Sequence, residues 1–260
     1  MKFIHLTDPH LTAEGSLFDI DVVGQLAAAV DHVNADHGDA ALCMITGDIT
    51  HFAEPEAYAE ARRQFERLAM PWHLLIGNHD GRGPFGQAFP EVPRLDGMFF
   101  QYTLETAAGR FIILDTKVDG SEAGELCETR LRWLRDRLAE TPPATDIYLF
   151  MHHPPMTCLI PPLDNVLLRN DKDLAMTLKG FRNIRHIFFG HLHRAFHGSW
   201  QGLPFSTTRA IAHQAAARFD QPDLWASREL PSYAVVFIED DGVRIHDISY
   251  LEADKVFDAG

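Results

Sequence analysis

The sequence predicts an α/β fold built on a mostly parallel sheet. Three observations carry that expectation. Apolar, strand-like runs alternate with amphipathic helical stretches from the first residues to Asn78. The same kinds of run recur further along the chain. Five of the apolar runs end in short segments of Asp, Asn, Gly and His, at the carboxyl ends of strands, where an open α/β sheet binds its ligands.

The elements follow in order. Lys2–Thr7 reads as a strand bounded by Asp8-Pro9. Asp19–Asp36 reads as a helix, with Val23, Leu26, Val30 and Val33 at helical spacing. Ala40–Thr46 is a near-continuous apolar run that suits a buried strand. Pro55–Leu68 is a charged amphipathic helix, and Trp72–Ile76 a further buried strand. Gly81–Asp96 is rich in Gly and Pro and reads as a surface loop. Phe99–Leu104 and Arg110–Asp115 read as strands joined at Ala107-Ala108-Gly109. Glu125–Ala139 is a helix stopped by Thr141-Pro142-Pro143. Ile147–Met151 and Ile184–Phe189 are buried strands, Pro154–Asp171 is irregular, and Asp173–Leu178 is a short helix. Tyr233–Glu239 and Val243–Ile248 form a hairpin around Asp240-Asp241-Gly242. With no repeat, linker or low-complexity segment, residues 1–260 read as a single domain.

Composition narrows the function classes. Hydrophobic residues at 46% and charged residues at 23% exclude collagen-like, coiled-coil and largely disordered chains. A formal charge of −14 argues against binding long nucleic acid or a membrane surface, which needs a basic face. No apolar stretch is long enough for a membrane span, and the first residues carry too short an apolar run for a signal peptide. Cys43, Cys127 and Cys158 are widely separated, which fits a reducing cytoplasm rather than a disulfide framework or a thiolate metal site. Cys158 reads as a free thiol. Histidine, with 15 residues, is abundant.

The strand-end segments are Asp8-Pro9-His10, Gly47-Asp48, Gly77-Asn78-His79-Asp80, His152-His153-Pro154 and Gly190-His191-Leu192-His193. Singly, each has an ordinary explanation: an Asp-x-His turn, an Asn/Asp turn, a Pro-rigidified loop. Five together at successive strand ends do not. Asp8, His10, Asp48, Asn78, His152, His191 and His193 offer carboxylate, imidazole and amide oxygen without thiolate, a set that suits zinc, manganese or iron rather than calcium. Seven donors are too many for one ion. They suit two ions about 3.5–4 Å apart that share a carboxylate. Asp-x-His and His-x-His place two side chains on one side of an extended chain, and glycine at 47, 77 and 190 allows the backbone to turn and approach closely.

The set DxH, GD, GNHD, HHPP and GHxH, in this order from Asp8 to His193, resembles the calcineurin-like metallophosphoesterase superfamily. Glu54-Pro55-Glu56-Ala57-Tyr58 and Phe150-Met151-His152-His153-Pro154-Pro155 further resemble its small bacterial branch, which holds class III cyclic nucleotide phosphodiesterases and metal-dependent glycerophosphodiesterases. The resemblance implies a four-layer sandwich, two mixed β-sheets flanked by helices, with a dimetal site at the strand carboxyl ends. It implies two divalent or trivalent ions (Mn, Fe or Zn). Asp8, His10, Asp48 and His193 would hold the first, and Asp48, Asn78, His152 and His191 the second. His152 is the ligand of its pair because Pro154 stands at the family's His-x-Pro spacing; His153 would only support it. His79 would stand beside the phosphate as the catalytic proton donor or charge stabiliser, with Asn78 also touching substrate. His213, 22 residues after His191, resembles a substrate-side histidine of some relatives. His51 is left between reaching the site and capping the next helix. Asp80 is expected to orient a ligand, and Asp115 to belong to a turn. Met151, Met156 and the prolines of the 154–162 loop are left between a substrate pocket and a dimer surface.

The implied reaction is hydrolysis of a small phosphodiester, of the cyclic AMP type, by in-line attack of a metal-activated water. A glycerophosphodiester is the alternative substrate class. A phosphomonoesterase or protein phosphatase fits less well, because Gly47-Asp48-Ile49-Thr50-His51 replaces Gly-Asp-x-x-Asp-Arg. A non-catalytic scaffold would have lost ligands that stand here. A homodimer or higher homo-oligomer is implied by the resemblance alone.

Overall fold

The computed structural model describes residues 1–255; the last five positions of the expected 1–260 domain lie outside them. The strand–helix alternation expected from the sequence is present, with shorter strands. The first half runs β1 Lys2–Leu6, α1 Val22–His37, β2 Cys43–Thr46, α2 Pro55–Phe65, β3 Trp72–Leu75 and α3 Arg82–Ala88. Next come β4 Tyr102–Thr106, β5 Gly109–Ile113, α4 Glu128–Glu140, β6 Ile147–Phe150, α5 Asp171–Leu178 and β7 Ile184–Phe188. Two hairpins follow, β8 Phe196–Trp200 with β9 Leu203–Thr207, and β10 Tyr233–Glu239 with β11 Gly242–Ile248.

The strands divide into two main mixed sheets, ordered β11-β10-β1-β2-β3 and β8-β9-β7-β6-β5-β4. In the first, β1, β2 and β3 are parallel and β10 and β11 add antiparallel. In the second, β5, β6, β7 and β9 are parallel, flanked by antiparallel β4 and β8. The parallel reading therefore holds for β1 to β3, out to the β3 edge, and for the centre of the second sheet. The other edges close by hairpins, which need no crossover helix.

Period-two alternation explains how the sheets stack. Along β5, β6 and β7, Phe111, Ile113, Tyr148, Phe150 and Phe188 join the cluster formed with the first sheet. Their neighbours Ile112, Ile147, Leu149, Ile187 and Phe189 face the other way, onto Leu131, Leu134 and Leu138 of α4 and Leu174 and Leu178 of α5. Both faces are apolar, so the strands read as continuous apolar runs. The seam between the sheets is aromatic. Phe3 of β1 meets Phe111, Phe150 and Phe188 edge-on, with ring centroids 5.4–5.9 Å apart. Helices α1, α2 and α3 cover the outer side of the first sheet, α1 starting at Asp21, which caps the Gly24 N–H.

Two local readings are corrected. The Gly- and Pro-rich 81–96 stretch is not all loop. Its Pro84 falls in the first turn of α3, where backbone N–H groups lack intrahelical partners anyway, and Phe85 and Phe89 bury against Tyr58. Asp115 is not a turn residue. It is fully buried, paired with Arg82 and with Arg130 at 3.5 Å, and accepts the Phe100 and Lys117 N–H groups. Its counter-charges come from α3 and α4, so no local pattern announced it. The edge hairpin β8–β9 is polar on β8 and was likewise not anticipated. Among the described residues no helix is long and apolar enough to cross a membrane.

The aromatic seam generates a direct test. Phe3→Ala leaves a cavity between the sheets and is expected to lower stability by about 3–5 kcal/mol, read as a shift of the urea midpoint. A loss under about 1 kcal/mol would mean that the sheets do not depend on this contact.

Candidate metal centre

The five expected segments do converge. Asp8 follows β1, Asp48 follows β2, Asn78 follows β3, His152 follows β6 and His191 follows β7, all at carboxyl ends of parallel strands. Three segments come from the first sheet and two from the second, so the site straddles the sandwich. Its backbone is bent sharply: Asp8, His10, Asp48, His191 and His193 all have φ between 46° and 69°. That left-handed region is uncommon for residues other than glycine and gathers at functional sites. Close approach also requires glycine. A Cβ on Gly77 would overlap the Asp48 carboxylate, and one on Gly190 would overlap Thr7 Oγ1 and the Thr46 carbonyl.

The donor atoms form one connected group. His10 Nε2 lies 3.0 Å from His193 Nε2 and 3.4 Å from Asp48 Oδ2. His193 Nε2 is 3.5 Å from Asp8 Oδ1. On the other side, His152 Nε2 is 3.2 Å from the same Asp48 Oδ2 and 3.0 Å from Asn78 Oδ1. His191 Nδ1 is also 3.0 Å from Asn78 Oδ1. The atoms of Asp8, His10, Asp48 and His193 all lie within 4.8 Å of one another. Two ligands bonded to one zinc ion at about 2.0–2.2 Å lie about 3–3.5 Å apart, which is the spacing found here. Asp48 Oδ2 stands between the two sets.

Ring orientation is fixed from behind. His152 Nδ1 donates to the Thr46 carbonyl and His193 Nδ1 to the His213 carbonyl, both at 2.8 Å. His10 Nδ1 meets His51 Nδ1 at 3.0 Å. Each contact leaves Nε2 for the carboxylates, in the manner of metal-bound histidines. His191 is turned the other way, and its buried Nε2 has no hydrogen-bond partner among the described residues. His153 makes other contacts, to Thr116 Oγ1 at 2.7 Å and the Glu122 carbonyl at 3.0 Å, although its ring also lies near His152 and His191.

The electrostatics fit a cation. Asp8 and Asp48 are buried. Burial pushes both carboxyls up, yet His193 and His152 for Asp8, and His152 and His10 for Asp48, outweigh it and hold both low. Burial opposes a charged His152 too, but Asp48 and then Asp8 raise it to about 9. Burial and the neighbouring rings push His10 down and His191 to about 3, so these rings are neutral and able to act as ligands. Against burial, Asp8 and then Asp48 raise His193 as well, so the two buried carboxylates are met by protons on His152 and His193, whose places metal ions can take.

Supporting residues complete the frame. Asp80 lies beneath the strand-end loops. Its oxygens accept the Ile49, Thr50 and Gly77 N–H groups and the Tyr58 hydroxyl at 2.9–3.2 Å, tying the Asp48 and Asn78 loops together. Burial and then Asp48 raise it to about 6. His79 donates its backbone N–H to Asp48 Oδ1 at 2.8 Å and its Nδ1 to the His51 carbonyl at 3.0 Å, leaving Nε2 for the cavity. His51 is at the site, its ring stacked on His79 with centroids 4.5 Å apart. His213 lines the same cavity, 4.6 Å from the His193 ring. Lys117, which no sequence pattern singled out, is buried and donates to the Asn78 carbonyl at 2.9 Å. Met151 is wholly buried and Met156 packs beside it in the second core cluster. The cavity wall takes Leu163 and Val166 from the irregular segment instead.

Comparisons with known proteins agree with this geometry. A protein of Rhodopseudomonas palustris named "Probable cyclic nucleotide phosphodiesterase" is 36% identical over 263 residues, covering 99% of this chain and 95% of that one. The glycerophosphodiester phosphodiesterase GpdQ of Enterobacter lignolyticus is 27% identical, covering 82% and 78%. Among solved structures, a dimetal phosphatase from Danio rerio superposes with a TM-score of 0.74 over 96% of each chain at 14% identity, which speaks to the fold alone. Residues 1–195 match the family described as calcineurin-like phosphoesterase. The chain is a member of the calcineurin-like phosphoesterase family, a mixed α/β sandwich whose strand ends gather a set of metal-binding side chains.

Proposed function

We propose that the chain is a metal-dependent phosphodiesterase acting on small phosphodiesters, with 3′,5′-cyclic nucleotides as the leading substrate class. The observation that carries it is the seven-donor set divided about Asp48 Oδ2, with His79 at its edge. The near full-length likeness to a protein named as a cyclic nucleotide phosphodiesterase supports the substrate class. The likeness to proteins named GpdQ keeps a glycerophosphodiester as the second reading.

In this reading Asp8, His10, Asp48 and His193 hold one ion, and Asp48, Asn78, His152 and His191 hold the other. When bound, two such ions supply Lewis acidity and lower the pKa of water from about 15.7 toward 7, which provides a nucleophile at neutral pH. The protein's own residues do the rest. Asn78 turns its Oδ1 to His152 and His191, which leaves its amide nitrogen to donate to a phosphate oxygen. Lys117 and Asp48 fix the Asn78-His79 backbone from either side. His79, with Nδ1–H committed to the His51 carbonyl, turns Nε2 to the cavity; as the imidazolium, its Nε2–H would give the leaving alkoxide a proton or offset its charge. His213 lines the substrate side of the same cavity. No step forms a covalent bond to the protein.

Three outcomes test the assignment. Asp48→Asn removes the shared carboxylate; bound Mn²⁺, counted by elemental analysis, is expected to fall from two per chain to one or none. Hydrolysis of bis(p-nitrophenyl) phosphate should drop on the order of 100-fold or more. Retention of both ions would sink the shared-ligand assignment. His79→Ala is expected to keep its metal and to lose about 10²–10⁴-fold in kcat on diesters with alkyl leaving groups, with a smaller loss on p-nitrophenyl esters. Equal losses on both would remove His79 as the proton donor. The third concerns pH. The metal-free His152 keeps its proton up to about 9, and ligation requires the neutral ring. Lowering the pH from 8 to 6 should therefore weaken Mn²⁺ binding by up to about tenfold per unit for this ring. Chelator competition at pH 6, 7 and 8 reads the slope, and a flat profile would contradict it.

A further inference from the structure

The cavity beside the metal group measures about 400 Å³ and has two unlike halves. One is the polar set already described. The other is an apolar wall of Phe18, Leu163, Val166, Leu224 and Trp225. Phe18 and Trp225 are 57% and 50% exposed, so core burial does not explain where their rings stand.

Backbone strain sharpens the point. Phe18 and Asp19 join the short strands Ser16–Leu17 and Ile20–Asp21, with φ of 52° and 58°. A two-residue hairpin turn with both residues at positive φ ordinarily takes Asn-Gly. A phenylalanine there is strained and gains no core packing in return. Its ring instead stands edge-on to His213, centroids 4.9 Å apart, at the mouth of the cavity. Strain held without burial marks a side chain kept for what it faces. Trp225 enters beside the bridge that pairs Gln214–Ala215 with Ala226–Ser227. The Arg218 guanidinium lies 4.7 Å over its ring, steadying one face.

We propose that this wall is a stacking platform for the nucleobase of the substrate, with Trp225 and Phe18 as specificity residues; the proposal rests on the phosphodiesterase reading above. An aromatic platform takes any base by its π-face. The wall does not read the base edge by an amide: the Gln214 amide is tied at both ends to the Ala210 backbone, at 2.8 and 3.0 Å. Adenine and guanine therefore bind alike. Glu122, the one carboxylate of the lining besides Asp48, disfavours a second anionic group on the substrate.

The test is steady-state kinetics with Mn²⁺ on 3′,5′-cyclic AMP, 3′,5′-cyclic GMP and the base-free diester glycerophosphoglycerol. Trp225→Ala is expected to raise KM for both nucleotides by about 5- to 150-fold, the range of base–aromatic stacking. Its kcat, and its KM for the base-free diester, should be unchanged, and Trp225→Phe should restore nucleotide KM. Phe18→Asn, which suits the left-handed turn while deleting the ring, should raise nucleotide KM in the same direction in a stable protein. Equal KM changes on all three substrates, no change on any, or a change confined to glycerophosphoglycerol would overturn the platform. A wild-type enzyme that cleaves glycerophosphodiesters but not cyclic nucleotides would overturn the platform and leave the phosphodiesterase reading standing. One inert toward every diester, bis(p-nitrophenyl) phosphate included, would take both down.

Discussion

Two carboxylates, Asp8 and Asp48, are buried side by side at the ends of adjacent parallel strands, and the rest of the centre is arranged around that fact. Unpaired burial of a charge costs several kcal/mol even after relaxation. The chain offsets it with directed donors: the His191 N–H and Thr7 Oγ1 for Asp8, the His79 N–H for Asp48. What these donors leave unmet is net positive charge. His152 and His193, whose far nitrogens are held by carbonyls, supply it as protons because the carboxylates raise both rings against burial, whereas burial keeps His10 and His191 neutral. Bound cations would take the place of those protons, and the rings are already oriented to receive them.

The two-sheet architecture follows from the same requirement. The three parallel strands of the first sheet supply Asp8, Asp48 and Asn78, all of them oxygen donors. The imidazoles of His152 and His191 arrive from the second sheet. Face-to-face packing over the Phe3, Phe111, Phe150 and Phe188 seam holds the two groups in register. The left-handed residues at the strand ends then direct carboxylate and imidazole inward over a few ångströms. The cost of that strain is carried by the packed sheets beneath, and Asp80 keeps two of the loops from relaxing apart.

Much of this was legible in the sequence because each donor sits in a short motif directly after an apolar strand. Strand identity and donor chemistry are both local properties, and their sum pointed to one place. Features built from distant parts of the chain were not legible. Asp115 reads as a turn residue until Arg82 and Arg130 are brought to it. Lys117 carries no pattern, and its role appears only when its amine meets the Asn78 carbonyl. His51 was open between two readings because the contact that decides it, a ring stacked on His79, is tertiary. The α3 helix escaped notice because Gly and Pro suggest a loop, whereas Pro84 occupies the turn that tolerates it.

The cavity is drawn from both sides of the boundary of the span matched to the family. All seven donors and His79 lie within residues 1–195, the span matched to the family. His213, Leu224 and Trp225 lie beyond it, and Phe18 enters the cavity only through a strained turn. The backbone of residues 213–215 ties this side of the cavity to the metal group: the His213 carbonyl accepts from His193 Nδ1, and the Ala215 N–H donates to the His193 carbonyl. The net charge of −14 bears on the same division. Two ions bound at the centre would concentrate positive charge there, and the surrounding negative surface opposes any ligand that carries a long run of phosphates. In the proposed reading, selection by charge comes from the whole molecule, whereas discrimination among small diesters would fall to a few side chains along one wall.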